Sequence, residues 1–324
     1  MISFAAAVVA GLALLIWSAD KFVEGAAALA RLLGVSVMII GITIVGFGTS
    51  APEIVVSLIA VFQDTPGLAI GNALGSNIAN IGLILGVTAV LVPIPVAGRL
   101  FRTEYPLLLL ATAVMAWTLY DLTLDLVDGV VLLGLLFLSL WYLIREHRRH
   151  PEAYAAEEHE NEEMVHEMSM GAAIGWLLLG LVILVGSSKL LVWGASGIAT
   201  SLGVSDLIIG LTIVALGTSL PELAASIASL RKGSPDLAVG NVIGSNMFNS
   251  LAVVGLPALF TSFSVESSAR DRDLLVVIGL TIVLLVMSRF PHGHPGSLTR
   301  TKGIVLFLAF VIYQLYLYYE AALA

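Results

Sequence analysis

The chain has 324 residues, 58% of them hydrophobic and 12% charged, with a mean hydropathy of +1.00 and a formal net charge of −8. That balance excludes an ordinary soluble enzyme and fits a protein that lives mostly in a bilayer. Cysteine is absent, which removes disulfides, thiolate metal sites and thiol nucleophiles.

Crossing about 30 Å of hydrocarbon takes roughly 17 to 25 apolar residues. Runs of this kind lie near 2–29, 36–62, 68–92, 105–120, 126–144, 170–200, 205–230, 237–260, 274–290 and 303–319. The first run has no basic segment before it and exceeds the core of a signal peptide, so it reads as a retained span. The fourth is short and opens at Tyr105-Pro106, where a proline in the first turn is tolerated. Between the fifth and sixth runs, Glu146 to Met168 holds eight of the 23 acidic residues and reads as a solvated linker with some helix. It lacks the spaced Asp, Gly and Glu pattern of a calcium loop. The expected fold is therefore an all-α integral membrane protein of ten transmembrane helices. Its parts are residues 1–145 (five spans), a linker at 146–169 and residues 170–324 (five spans).

Lys and Arg set the orientation. With the N-terminus outside, eleven of them fall in inner connections and only Arg270 and Arg272 in outer ones. Both termini then face outward and the linker is cytoplasmic, in a multi-pass protein of the cell membrane. Five spans per half is an odd number, so the second half enters the membrane upside down relative to the first, as an inverted repeat.

The repeat is visible in the residues themselves. Gly41–Gly86 and Gly210–Gly255 align without a gap and share 20 of 46 positions. Gly48-Thr49-Ser50-Ala51-Pro52-Glu53 recurs as Gly217-Thr218-Ser219-Leu220-Pro221-Glu222, and Gly75-Ser76-Asn77-Ile78-Ala79-Asn80 as Gly244-Ser245-Asn246-Met247-Phe248-Asn249. An acidic side chain inside an apolar span costs a few kcal/mol, so something must stabilise Glu53 and Glu222. A protonated, hydrogen-bonded carboxyl is one answer. Pairing with Lys21 or Lys189 in the corresponding first spans is another, and a bound cation is the third.

The frame favours the cation. Pro52 and Pro221 lack an N–H and clash with the carbonyl four residues earlier, so each helix is expected to break or kink beside Gly48 and Gly217. That frees carbonyl oxygens around Gly46, Thr49, Ala215 and Thr218, which membrane depth tolerates only where they line a cavity or bind something. Thr49 and Glu53 are four residues apart, Ser50 and Glu53 three apart, and both pairs share a face. Ser76 with Asn80, and Ser245 with Asn249, are also four apart and can present a hydroxyl and an amide oxygen to one centre. Hard cations such as Ca²⁺ and Na⁺ take this kind of oxygen shell, about 6 to 8 ligands for Ca²⁺. Asn72, Asn77, Asn241, Asn246 and the glycines read as helix packing and interhelical hydrogen bonding.

The paired G-T-S-x-P-E and G-S-N-x-x-N segments resemble the two alpha repeats of the calcium/cation antiporter superfamily, especially its sodium/calcium exchangers. The resemblance implies exchange of several Na⁺ for one Ca²⁺ by alternating access, with Glu53 and Glu222 as shared carboxylates flanked by Thr49 and Thr218. It also implies Ser50, Ser76, Ser219 and Ser245 at peripheral Na⁺ sites, with Asn80 and Asn249 opposite each other at the centre. In the family the first and sixth spans slide against the rest. Some relatives, including potassium-dependent ones, carry Asp where this chain has Asn249, which disfavours a K⁺ requirement. The implied partners are the transported ions Ca²⁺ and Na⁺; composition adds the lipid bilayer, and the like charges of two desolvated glutamates lead one to expect protons in competition with the cations. No prosthetic group and no nucleic acid are implied.

Three other classes compete with this reading. A proton- or K⁺-coupled cation antiporter of the same superfamily uses nearly the same carboxylates. A passive cation channel needs an open file of sites, which two broken helices in inverted halves do not provide. An intramembrane hydrolase is disfavoured because all six histidines fall in predicted loops and neither H-E-x-x-H nor G-x-S-x-G occurs.

Overall fold

The computed structural model describes residues 1–96, 98–149, 168–203, 215–289 and 296–323. Most of the linker, residues 150–167, lies outside the described residues, as do residues 205–214 at the start of the expected seventh span and five of the six histidines. The chain is mostly helical. Seven helices are long and apolar enough to cross a membrane among the described residues: α1 (Ile2–Leu33), α2 (Val37–Phe62), α3 (Pro66–Leu91), α5 (Leu126–Arg149), α6 (Met170–Ser201), α9 (Pro235–Ala258) and α11 (Arg300–Glu320, running on to Leu323). Helix α4 (Glu104–Thr118) is the short one that the sequence leads one to expect. The remaining described α-helices are α7 (Ala215–Thr218), α8 (Leu220–Arg231) and α10 (Leu275–Arg289), which continues a π-helical turn at Ala269–Leu274.

Burial sorts these helices into a centre and a rim. Helix α9 is buried along nearly its whole length and α3 along most of it, whereas α1, α5, α6 and α11 keep much of their apolar surface outward. Exposed Leu12, Ile16, Phe137, Trp141, Val182 and Ile312 on the rim are what a lipid solvent requires. Helices α1 and α6 pack most extensively on each other. Small residues permit that approach: a Cβ on Gly180 would sit 2.7 Å from the Phe22 backbone nitrogen.

Two departures from the sequence reading are local. Four short strands join the halves: β1 (Ile94–Val96) pairs antiparallel with β4 (Gly296–Leu298), and β2 (Thr123–Leu124) with β3 (Phe263–Ser264). Prolines 93 and 95 disfavour helix in the first of these connections, and the extended backbone then finds its hydrogen bonds in the other half. Helix α5 also runs through Arg149, so His147 lies in its last turn instead of a loop. Buried there, His147 Nε2 accepts the Ser36 N–H at 3.3 Å, while the Ser36 hydroxyl caps the start of α2 by accepting from Ile39 N–H.

Candidate ion-binding site

Four segments meet at the centre, two from each half. Helix α2 carries Thr49, Ser50 and Glu53, and α3 carries Ser76 and Asn80. From the second half come Thr218, Ser219 and Glu222 at the α7–α8 junction, with Ser245 and Asn249 on α9. Nine of these ten side chains are buried, and Thr218 is half-buried.

Close backbone contact between α2 and α9 sets the geometry. A Cβ on Gly244 would lie 2.3 Å from the Ile42 carbonyl oxygen, so only glycine permits this crossing. The crossing brings Thr49 Oγ1 to 3.1 Å from Asn241 Oδ1 and 3.3 Å from Ser245 Oγ, while Ser245 Oγ lies 3.4 Å from the Gly46 carbonyl. Deeper in, Asn80 Nδ2 donates to Asn246 Oδ1 at 3.0 Å and Asn77 Nδ2 to Ser250 Oγ at 3.0 Å.

Both glutamates are held through their backbones by repeat-equivalent asparagines. Asn72 Nδ2 donates to the Glu53 carbonyl (3.1 Å) and to Ser57 Oγ (3.1 Å); Asn241 Nδ2 donates to the Glu222 carbonyl (3.3 Å) and to Ser226 Oγ (3.2 Å). These are the interhelical bonds expected of Asn72 and Asn241, with the added consequence that each fixes the chain position of an acid.

The carboxyl groups themselves face each other's charge. Glu222 interacts electrostatically with Glu53, and Thr49 and Ser50 of the opposite half lie beside it without a hydrogen bond of ordinary geometry. All four carboxylate oxygens are buried with no hydrogen-bond partner among the described residues. So are Ser50 Oγ, Ser219 Oγ, the side-chain oxygens of Asn77 and Asn80, and both amide atoms of Asn249. Buried polar atoms without partners are rare because each costs about 1–3 kcal/mol. Lys21 does not supply the counter-charge: its ammonium lies 3.0 Å from Glu24 Oε2 and over the ring of Trp176. A concentration of unmatched oxygens around two acids is chemically suited to a hard cation.

The two halves differ in backbone. In the second, the helix breaks as expected: Ser219 (φ −90°, ψ 1°) separates α7 from α8, with Pro221 in the first turn of α8. The Gly217 carbonyl, which Pro221 leaves without its helical donor, accepts from Ser188 Oγ of α6 at 2.7 Å. In the first half the expected break beside Gly48 does not occur, and Gly46–Phe62 stays α-helical through Pro52. The irregularity appears upstream instead, as a π-helical turn at Gly41–Val45 against α9. Further π-helical turns begin at Ala79, beside Asn80, and at Asn249. Such turns collect at functional sites, and nothing in residue type or spacing foretold them.

Among the ten expected residues, Thr49, Ser50, Glu53, Glu222 and Ser245 come together across the halves, and Asn80 meets Asn246, which the sequence assigned to packing. Ser76 is buried and makes no side-chain hydrogen bond among the described residues. Thr218 lines a cleft of about 270 Å³ together with Ser188, Lys189, Gly217, Pro52 and Pro221.

A model of the family described as sodium/calcium exchanger protein matches residues 3–145 and 172–319. The chain belongs to the sodium/calcium exchanger family. It is 47% identical over 313 residues to CaxA of Alkalimonas amylolytica, covering 96% of this chain and 97% of that one. It is 29% identical over 346 aligned positions to the sodium/calcium exchanger MaX1 of Methanosarcina acetivorans, covering 95% and 97%. Among solved structures, the sodium-calcium exchanger NCX_Mj soaked with zero Na⁺ and Ca²⁺ superposes with a TM-score of 0.82 at 32% identity, covering 96% of this chain and 97% of that one. Membership of the exchanger family makes this a multi-pass membrane transporter, a cation/Ca²⁺ antiporter by descent, in a family that is not one of enzymes.

Proposed function

We propose that this exchanger moves Na⁺ against Ca²⁺ by alternating access, with Glu53 and Glu222 as the shared cation-binding carboxylates. One observation carries the reading: two buried acids from equivalent motifs lie within each other's field, with every carboxylate oxygen unmatched among the described residues. Isolated charges in low dielectric are unfavourable, so the pair favours a divalent cation, several monovalent ones, or protons. One Ca²⁺ neutralises the formal −2, and three Na⁺ over-neutralise it, so full occupancy by both is electrostatically excluded. Competition is then the coupling. The empty −2 site resists reorientation and a loaded site permits it, which makes the exchange obligatory.

Thr49, Ser50, Ser76, Asn80, Thr218, Ser219, Ser245 and Asn249 complete the oxygen shell in this reading. The orphaned side-chain oxygens of Ser50, Ser219, Asn80 and Asn249 support their place in it. The architecture that goes with it is ten spans as inverted repeats at 1–145 and 170–324. Both termini lie outside, the linker at 146–169 is cytoplasmic, and the protein sits in the cell membrane. The pairing of β1 with β4 and of β2 with β3, each joining one half to the other, supports the pseudo-symmetry.

The test is Ca²⁺ uptake by purified protein in liposomes with the driving gradient exchanged among Na⁺, H⁺ and K⁺. Uptake should follow the Na⁺ gradient. Uptake that follows H⁺, or that needs K⁺ on the Na⁺ side, would assign a different coupling ion to the same carboxylates.

A further inference from the structure

Between α1, α6 and α8 runs a groove of about 310 Å³, separate from the ion site, lined along most of its length by apolar side chains such as Leu15, Ala19, Leu220 and Ala224. Two charged residues line the same groove from opposite walls, Asp20 on α1 and Arg231 at the end of α8. They make no ion pair with each other. Neither has any other charged or hydrogen-bonding partner among the described residues, although neighbouring Lys232 lies 3.7 Å from Glu24.

Their level in the membrane is marked by the next residues. Lys21 stacks over Trp176, Trp17 packs edge-on against the same ring, and Lys21 pairs with Glu24. Tryptophan and lysine gather where hydrocarbon gives way to headgroups. A cation and an anion left open at headgroup level, atop an apolar channel, are complementary to a zwitterionic amphiphile. At the place in α2 equivalent to Arg231 stands Phe62, so this charged end belongs to one half only.

We propose that the groove binds a phospholipid with a phosphoethanolamine headgroup, its phosphate on Arg231, its ammonium on Asp20 and an acyl chain along the apolar wall. A primary ammonium donates hydrogen bonds to a carboxylate, which a trimethylammonium cannot do. A headgroup without an amine brings its phosphate to Arg231 but leaves Asp20 facing a like charge.

The experiment is native mass spectrometry of the full-length protein with phosphatidylethanolamine, phosphatidylglycerol and phosphatidylcholine of matched acyl chains. The wild type should retain phosphatidylethanolamine about fivefold over the other two, the ratio that one surface charge contact supplies. Asp20→Asn should abolish the preference for the amine, and Arg231→Gln should lower retention of all three lipids. Ala224→Trp, which fills the groove and keeps both charges, should also lower retention of all three. Water-soluble glycerophosphoethanolamine should fail to displace the lipid. Headgroup-indifferent binding by the wild type, or unchanged retention in the two charge variants, overturns the proposal. Displacement by the soluble headgroup overturns the part assigned to the acyl groove.

Discussion

The two copies of the G-T-S-x-P-E motif share their chemistry and differ in their structure. In the first copy the helix runs unbroken through Pro52, and Thr49 is fully buried against Asn241 and Ser245 of the other half. In the second the helix breaks at Ser219, and Thr218 lies half-buried on a cleft lined by Ser188 and Pro221, while Asn72, the counterpart of Asn241, donates to the Glu53 carbonyl and Ser57. One motif thus supports both a sealed and an open arrangement. Transport by alternating access, in the reading above, is the exchange of these two arrangements between the halves.

The largest expected effect comes from the acids, where the comparison should vanish. Glu53→Gln and Glu222→Gln each remove half of the formal charge while keeping the shape. Each should cost about 3 kcal/mol of cation binding, roughly a hundredfold in apparent Ca²⁺ affinity, read by isothermal titration and by Na⁺-driven uptake. Normal transport by both variants would remove the glutamates from the mechanism.

Next in size is the seal itself. Gly244→Ala places a methyl group against the Ile42 carbonyl and should destabilise the protein by about 3 kcal/mol, seen as a lowered Tm in detergent. An unchanged Tm would mean that α2 and α9 are not in such close contact.

Because the chain has no cysteine, single thiols report access cleanly. Thr218→Cys should react with a water-soluble thiol reagent at least about tenfold faster than Thr49→Cys, as expected for a half-exposed against a buried thiol. Equal rates would erase the distinction between the halves.

Proton competition should be milder. Ca²⁺ uptake should decline steadily from alkaline to acid pH as protons replace cations on the two carboxyls, and a flat profile would count against carboxylate ligands. Smallest is the loss of the second-half carbonyl's partner. Ser188→Ala strands the Gly217 oxygen and should cost about 1 kcal/mol, whereas Pro221→Ala restores a backbone donor and should offset the loss in the double variant.

Much of this was legible in the chain because lipid leaves few options. An apolar run of membrane length must be helical, Lys and Arg mark its flanks, and an acid inside it must be stabilised by something specific. The gap-free repeat made the duplicated acids and their flanking hydroxyls stand out, and the family followed from the same residues. The roles of Asn77 and Asn246 were not legible, since packing and lining the site look alike when only spacing is visible. Neither were the π-helical turns at Gly41, Ala79 and Asn249, which extend the register by one residue without any signature in side-chain type.

Residue order alone thus determined the solvent, the duplication and the identity of the acids, because these depend on hydropathy and charge summed along the chain. Tertiary structure decided which copy is sealed and which is open. Pro52 and Pro221 stand in matching frames and α9 packs against both helices, yet the helix runs on through the first, while at the second it breaks and the Ser188 hydroxyl captures the freed Gly217 carbonyl. A backbone proline states only that one hydrogen bond will be missing; the neighbours that pack around it determine whether the helix breaks there.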